Sequence, residues 1–276
     1  MKPDTTDPLA ASTAGEFLGA WLKTPLLDGA ERETFNEYYA SYVRLWDRYI
    51  ETQYSRQLKR LMELADSAEK FRLLDLGCGC GIEALWVAYR TGASVVGQDL
   101  RADRLRTAAR CLETMRGRSG RPLQVEFRRG NLFETAEKEA FDAVWMQQTF
   151  HHIEPRAEAV EKIASLIKPG GYAAASEPNA WNPLIQLNFF RQRGFRTIKT
   201  YTDEDGIEHL YGNERILTPQ SLSRAFARGG VVKRRVEYFR ALPNAAWARR
   251  FESLERRLPS WAAPFFTHYT YIGQKR

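Results

Sequence analysis

The residues best placed to do chemistry lie in "LLDLGCGCGIEAL", residues 73–85. Gly77, Gly79 and Gly81 stand between an apolar run and a helical pattern. Glycine at such a junction permits a tight turn and a close backbone approach, and the helix beginning behind it offers free N–H groups to a ligand. Asp99 follows Gly77 by 22 residues at the end of a second apolar run, where a carboxylate can accept hydrogen bonds from two ribose hydroxyls. The pairing indicates a nucleoside-containing cofactor. Gly79-Cys80-Gly81-Ile82-Glu83-Ala84 also satisfies the G-x-G-x-x-G/A pattern of dinucleotide enzymes. Asp75, just before the loop, leans away from that reading: it would repel a pyrophosphate and attract a cationic ammonium or sulfonium.

A second group of candidates lies further along. His151 and His152 follow the fourth predicted strand, on the carboxyl edge where doubly wound sheets bind ligands. Histidine titrates near neutrality and suits a general base. Adjacent side chains are expected to point apart, so one of the two would act while the other packs or is solvated. Glu177, at the end of the fifth strand, faces the same edge and could orient a hydroxyl or a histidine. Tyr38, Tyr39, Tyr42 and Trp46 could wall a pocket, although aromatic residues at helical spacing also make ordinary core. Arg191, Arg193, Arg196 and Lys199 could bind a carboxylate or phosphate, or simply be solvated. Cys78-x-Cys80 has no further Cys or His at zinc-like spacing, so no metal is expected.

These groups need elements to hold them. Phe35, Tyr38, Tyr39, Tyr42, Leu45, Trp46, Tyr49 and Ile50 recur at three- and four-residue steps and predict one long amphipathic helix, continuing toward Leu58, Leu61 and Met62. Residues 1–15 read as a frayed terminus. From Phe71 the pattern alternates strand and helix: "FRLLDLG", "SVVGQDL", "LQVEFRRGN", "FDAVWMQ" and "YAAASEP" are strands with helices between, the last helix stopped by Pro169 and Gly170. That alternation predicts a doubly wound, mostly parallel sheet with helices on both faces. Residues 181–217 break the rhythm and are too long for a bare connection, which predicts a lid or binding insertion. A helix capped by Thr218 with Pro219 behind it, the strand "VVKRRVEYF" and a final strand "HYTYIGQ" complete seven strands. Between them Trp247, Phe251, Leu254 and Leu258 form one face of an arginine-rich helix, expected to pack on the sheet, with contact at a membrane surface as the alternative.

The 276 residues, 43% hydrophobic and 27% charged, have ample apolar surface for a core and exclude wholesale disorder. No apolar run is long enough to cross a bilayer. Met1–Lys23 carries Asp4, Asp7 and Glu16 and does not read as a secretory signal, and three cysteines make no disulfide framework, so a reduced cytoplasmic protein is expected. The net charge of +7 is uneven: −3 over residues 1–70, +1 over 71–180 and +9 over 181–276. Such a field suits an anionic small molecule, a phosphate-bearing surface or nucleic acid, with a solvated basic face as the plain alternative.

Taken together, "LLDLGCGCG", Asp99 in "VVGQDL", "GNLFE" at 130–134, "FDAVWMQQTFHHIE" at 141–154 and "LIKPGGYAAASEPN" at 166–179 resemble a class I S-adenosylmethionine-dependent methyltransferase of the small-molecule type, over residues 68–180 and more loosely beyond. The resemblance implies a Rossmann-like α/β fold with an antiparallel final strand, S-adenosylmethionine as cofactor and S-adenosylhomocysteine as product. By it, Asp75, Gly77, Cys78, Gly79 and Gly81 hold the methionine end, Asp99 with Leu100 beside it the ribose, Asn131 and Leu132 the adenine, and Gln147 the amino acid moiety. The family commonly has Asp where Asn131 stands; an amide oxygen can still accept from the adenine amino group.

The resemblance further divides the chain into an N-terminal helical lid, 1–67, and a methyltransferase domain, 68–276, with 181–217 a substrate-binding insertion after the fifth strand. Tyr38, Tyr42, Trp46 and Arg191 would contact the acceptor, a small molecule that could be anionic, methylated most readily at oxygen with His151 or His152 as base and Glu177 in support. Rival readings are an RNA or protein methyltransferase, a nicotinamide-dependent oxidoreductase and a non-catalytic cofactor-binding module. The sequence has no appended RNA-binding module, and a nucleic-acid partner is not expected.

Overall fold

Leu73, Leu74, Asp75 and Leu76 are buried without a break, the mark of a strand covered on both faces, and in the computed structural model they lie in β1 (Arg72–Leu76). The structure describes residues 7–203, 205–242, 248–255 and 257–276. It has two compact units, Met1–Gly130 and Asn131–Arg276, and a seven-stranded, mostly parallel sheet. The first unit holds three strands in the order β3-β2-β1 and the second four in the order β4-β5-β9-β8. The doubly wound, mostly parallel fold is therefore as the sequence predicts.

In the first unit β2 (Ser94–Asp99) pairs in parallel with β1 and with β3 (Val125–Arg129). Helices α5 (Ile82–Thr91) and α6 (Ala102–Ser119) make the crossovers, each closed by a left-handed glycine, Gly92 and Gly120, as helix C-termini favour. Among the described residues, four α-helices precede β1: α1 (Ala14–Lys23), α2 (Gly29–Tyr38), α3 (Ala40–Leu45) and α4 (Arg48–Asp66).

Two expectations about this N-terminal region fail. The single long helix is three, α2 to α4, because Tyr39 leaves helical geometry (ψ 22°) and Asp47 turns extended to cap α4, accepting from the Ile50 N–H at 3.0 Å. The stripe breaks with it: Leu45 is exposed. The expected fraying does not extend through residue 15 either. Thr13 and Glu16 form a reciprocal capping box, a recognisable start signal, and Phe17, Leu18 and Trp21 behind it are fully buried. Helix α1 lies against α4 at Gly15, whose N–H donates to Ser55 Oγ at 2.9 Å and where an added Cβ would sit 2.1 Å from the Glu51 carbonyl oxygen.

The second unit pairs β4 (Phe141–Gln147) in parallel with β5 (Ile167–Pro178), while β9 (His268–Lys275) runs antiparallel to both β5 and β8 (Val231–Phe239). Helix α7 (Arg156–Leu166) gives way to β5 at Ile167, so Pro169 and Gly170 do not stop a helix as expected. They sit in an irregularity where the β4–β5 register jumps from Phe141↔Ile167 to Ala143↔Tyr172, a place that tolerates a residue without an N–H. The Lys168 ammonium pins it to Asp142 at 2.8 Å.

The insertion is α8 (Pro183–Arg193) followed by a separate hairpin of β6 (Ile198–Thr202) and β7 (Glu208–Gly212). Helix α9 (Pro219–Arg228) then starts on Thr218 as the sequence predicts. The amphipathic helix near residue 250 is reduced to a 3-10 turn and the four residues of α10 (Glu252–Glu255). Phe251, Leu254 and Leu258 are 47%, 57% and 37% exposed, so this face does not pack on the sheet; Trp247 lies outside the described residues.

The α1–α4 contact is directly testable. Gly15→Ala should cost about 1–3 kcal/mol, the usual penalty of overpacking, read as a lower urea midpoint with an unchanged slope. An unchanged midpoint would mean that α1 is not seated on α4 as described.

Candidate functional site

The first unit supplies a glycine loop shaped by its own backbone. Gly77, Gly79 and Gly81 have φ of 74°, 52° and 76°, in the left-handed region that side-chain-bearing residues avoid. A Cβ on Gly81 would also meet the Phe127 ring at 2.4 Å, and one on Gly79 the Tyr38 ring at 2.2 Å. The Gly77 and Cys78 N–H groups donate to the Gln98 carbonyl at 2.7 and 3.1 Å, tying the loop to β2. Gly81 caps α5, and the loop therefore stands at a helix N-terminus.

Acids surround this loop. Asp99 accepts from the Gly79 N–H at 2.9 Å and, through its other oxygen, from the Arg101 N–H at 2.9 Å. It thus shapes the loop, and lone pairs remain on each oxygen for ribose hydroxyls. Leu100 follows it, its carbonyl accepting from Arg129 Nε at 3.0 Å. Asp75 is buried, and its Oδ2 has no hydrogen-bond partner among the described residues. Burial, with the nearby Glu83 and Asp99 charges adding to it, pushes the Asp75 carboxyl well above the ordinary carboxylate range. Cys78 and Cys80 are buried and free, and burial pushes both thiols up, so they line the loop without being nucleophiles.

The aromatic candidates belong to the same unit and differ among themselves. The Tyr38 ring lies against Gly79, with the Arg104 guanidinium 4.8 Å from its centroid. Tyr39 and Tyr54 direct their hydroxyls at buried Glu83, Tyr39 from 3.4 Å and Tyr54 in a shorter contact. Tyr42 and Trp46 stack edge-on with one another and with Tyr54, at 5.7 to 6.1 Å between centroids. Tyr38 reaches the loop, whereas Tyr42 and Trp46 belong to an aromatic cluster around Tyr54. Glu83 had gone unremarked in the sequence, although an acid inside the apolar helix "GIEALWVA" is the signal of a specific buried partner.

The second unit brings the histidines together. They do not point apart as expected: both lie in the 3-10 turn Phe150–His152, their ring centroids 3.9 Å apart. Two acceptors hold them there. Glu177, fully buried, takes His151 Nδ1 at 2.5 Å on one oxygen and the Thr149 and Phe150 N–H groups at 3.2 and 2.9 Å on the other. The Gly212 carbonyl takes His152 Nδ1 at 2.8 Å, and the His152 ring stacks on Tyr211 at 4.5 Å. With Nδ1–H donating to Glu177, His151 carries its lone pair on Nε2. Glu214, which sequence reading missed, approaches that Nε2 to 3.6 Å from a backbone with φ 51°. Gly212 is what lets β7 come so close, since a Cβ there would lie 2.1 Å from the His151 carbonyl oxygen. His151, His152 and Glu214 each offer a ligand atom within 4.8 Å of the others.

Asn131, Leu132 and Gln147 also belong to this unit. Asn131 caps the 3-10 turn Leu132–Glu134, accepting from the Phe133 N–H at 3.2 Å, and its Nδ2 donates to His209 Nδ1 at 3.0 Å. His209 in turn holds Asp203 at 2.9 Å, so the insertion hairpin is tied to the residue expected beside adenine. Leu132 is buried, and Gln147 ends β4 with its Oε1 buried and unpartnered. Arg191 is exposed in the last turn of α8.

Known proteins give the same picture. Residues 74–175 match the family described as "Methyltransferase domain". The chain is 32% identical over 161 residues to a ubiquinone biosynthesis O-methyltransferase of Bordetella avium, with 55% of this chain and 62% of that one covered. It is 26% identical over 156 residues to methyltransferase GfsG of Streptomyces halstedii, covering 56% and 54%. It thus spans between half and two thirds of the length of these relatives. A SAM-dependent methyltransferase of Archaeoglobus fulgidus shares the fold, with a TM-score of 0.56, 16% identity, and 86% of this chain and 99% of that one covered. The glycine loop, Asp75 and Asp99 all lie within the residues that match this methyltransferase domain, and the chain is similar to methyltransferases over that stretch.

Proposed function

We propose that the chain transfers the methyl group of S-adenosylmethionine to a hydroxyl oxygen of a small molecule, with His151 as general base. The observation that carries the cofactor half of this reading is Asp75, a buried carboxyl whose Oδ2 has no hydrogen-bond partner, on the strand that leads into the glycine loop. An uncompensated carboxylate in such a place is costly, and a cationic ligand removes the cost, whereas a pyrophosphate adds to it. Gln147 Oε1, also buried and unpartnered, is a second acceptor suited to an ammonium group.

The cofactor supplies a methyl group already activated on a positively charged sulfur. The protein then has three tasks: to position, to exclude water and to remove one proton. Asp99 would bind the ribose, the glycine loop would hold the methionine end, and Asp75 would take the positive charge. His151 Nε2 would accept the hydroxyl proton that the acceptor gives up when its oxygen takes the methyl group. Glu177 fixes the imidazole tautomer and balances the imidazolium that forms, and Glu214 at 3.6 Å adds negative charge beside it. Residues 1–67 act as a lid, Tyr38 being the member that touches the loop, and 181–217 as the acceptor-binding insertion. An O-methyltransferase among the relatives supports oxygen as the atom methylated.

Replacing His151 by Ala should lower turnover by about 10²-fold or more. Glu177→Gln should lower turnover while leaving the affinity for S-adenosylhomocysteine unchanged, and His152→Ala should have the smaller effect of the two histidines. The assay is transfer of tritium from labelled cofactor to fractionated hydroxyl-bearing metabolites. Full activity in His151→Ala would remove the base from the account, and label appearing in RNA or protein alone would remove the small-molecule acceptor.

Asp75→Asn separates fold from ligand. Burial raises the folded-state pKa of Asp75, so its stability penalty is absent at low pH and grows as pH rises above the ordinary carboxylate range. The variant should therefore be more stable than the parent at neutral pH without ligand, and should bind S-adenosylmethionine about 10-fold or more weakly. Weaker binding together with lower stability would mean that Asp75 serves the fold rather than a cation.

A further inference from the structure

The insertion contains a helix that buries none of its own residues. None of the 11 residues of α8 is buried, although Leu184, Ile185, Leu187, Phe189 and Phe190 lie within it. Leu184 is 73% exposed and Phe195, just past the helix, 91%. The side chain of Asn182 donates to the Phe265 carbonyl at 3.3 Å and that of Asn179 to the Ala263 carbonyl at 2.9 Å. The start of α8 is thereby fastened to the turn Ser260–Phe265, where Trp261 and Phe265 are exposed in their turn. Isolated exposed apolar side chains need no explanation, but a contiguous set of this size marks a surface that something covers.

Charge decides what covers it. Residues 179–202 contain Arg191, Arg193, Arg196 and Lys199 and not one Asp or Glu. The acids Asp203, Asp205 and Glu208 come only at the far end of the β6–β7 hairpin, where Thr202 faces Glu208. A second copy laid on this face would set four positive charges against four. A nucleic acid would neutralise the arginines and leave Leu184, Leu187 and Phe195 in water. An anionic bilayer satisfies both demands: its headgroups take the guanidinium groups, and its acyl boundary takes the leucines and aromatic rings. Exposed Trp and Phe are suited to the same depth.

We infer that α8, the loop through Lys199 and the Trp261–Phe265 turn form a surface that docks on anionic phospholipid membranes. It is formed by residues outside the histidine turn and the glycine loop, and its occupation would give a membrane-dissolved acceptor a short path to the protein.

The test is co-sedimentation of the full chain with vesicles of phosphatidylcholine alone and of phosphatidylcholine with about 30% phosphatidylglycerol. Binding to the anionic vesicles, little to the neutral ones, and release by high salt are expected. Arg191→Ala with Arg196→Ala should weaken binding by about 25-fold, near fivefold per charge. Leu184→Ser, Leu187→Ser and Phe195→Ser together should weaken it about 10-fold or more even at low salt, with the thermal midpoint unchanged because none of the three is buried. Should that triple variant not fold, the arginine pair and the salt titration still decide the matter. No binding of the parent protein to anionic vesicles at low salt would overturn the inference, as would equal binding to neutral vesicles or binding undiminished in both variants. A dimer in sedimentation velocity that the triple variant abolishes, without vesicle binding, would assign the face to a second copy instead.

Discussion

A buried carboxyl group with one oxygen unpartnered among the described residues is the constraint on which the first unit turns. Asp75 is held there by the strand that carries it: Leu74 and Leu76 on either side are core residues, and the loop behind is locked onto β2 through the Gln98 carbonyl. Glu83 and Asp99 stand close enough to raise its proton affinity further. Proteins that bury three acids in one neighbourhood either protonate some of them or keep a place for a cation. Glu83 is answered by two tyrosine hydroxyls and Asp99 by two backbone N–H groups. Asp75 has one oxygen left over, and a positively charged ligand is the natural answer.

In the second unit the acid beside the histidines is fully answered by donors. Glu177 has no exposure and three donors, so it is a rigid anchor for His151. The turn is held from the other side by β7, whose Gly212 permits the contact and whose Tyr211 supports the second ring. A hairpin in the insertion thereby builds the surroundings of both histidines and, through His209, of Asn131. The insertion contributes to the site's architecture with one end and exposes apolar and basic side chains with the other.

Much of this was legible in the sequence because it depends on local rules. The glycine spacing, the buried β1 run, Asp99 at the end of β2 and the Thr218–Pro219 start of α9 are each dictated within a few residues, and the structure keeps all four. What was not legible depended on distant partners. Nothing near His151 says that Gly212 and Glu214, some sixty residues on, would close around it. The long aromatic stripe misled because its periodicity survives an interruption that Asp47 imposes by capping a new helix. The α1 capping box was a local signal that went unread. The turn at Pro169 misled because proline marks an irregular strand as well as a helix end.

The central claim is that Asp75, whose carboxyl burial pushes well above the ordinary carboxylate range, keeps a place for a cation. Calorimetric titration of the protein with S-adenosylmethionine, repeated in buffers of different ionisation enthalpy, reads that directly. At a pH between the ordinary carboxylate range and the raised value of Asp75, binding should release close to one proton, and affinity should rise with pH. Binding with no proton released and no pH dependence, or preferential binding of a nicotinamide dinucleotide, would contradict the account.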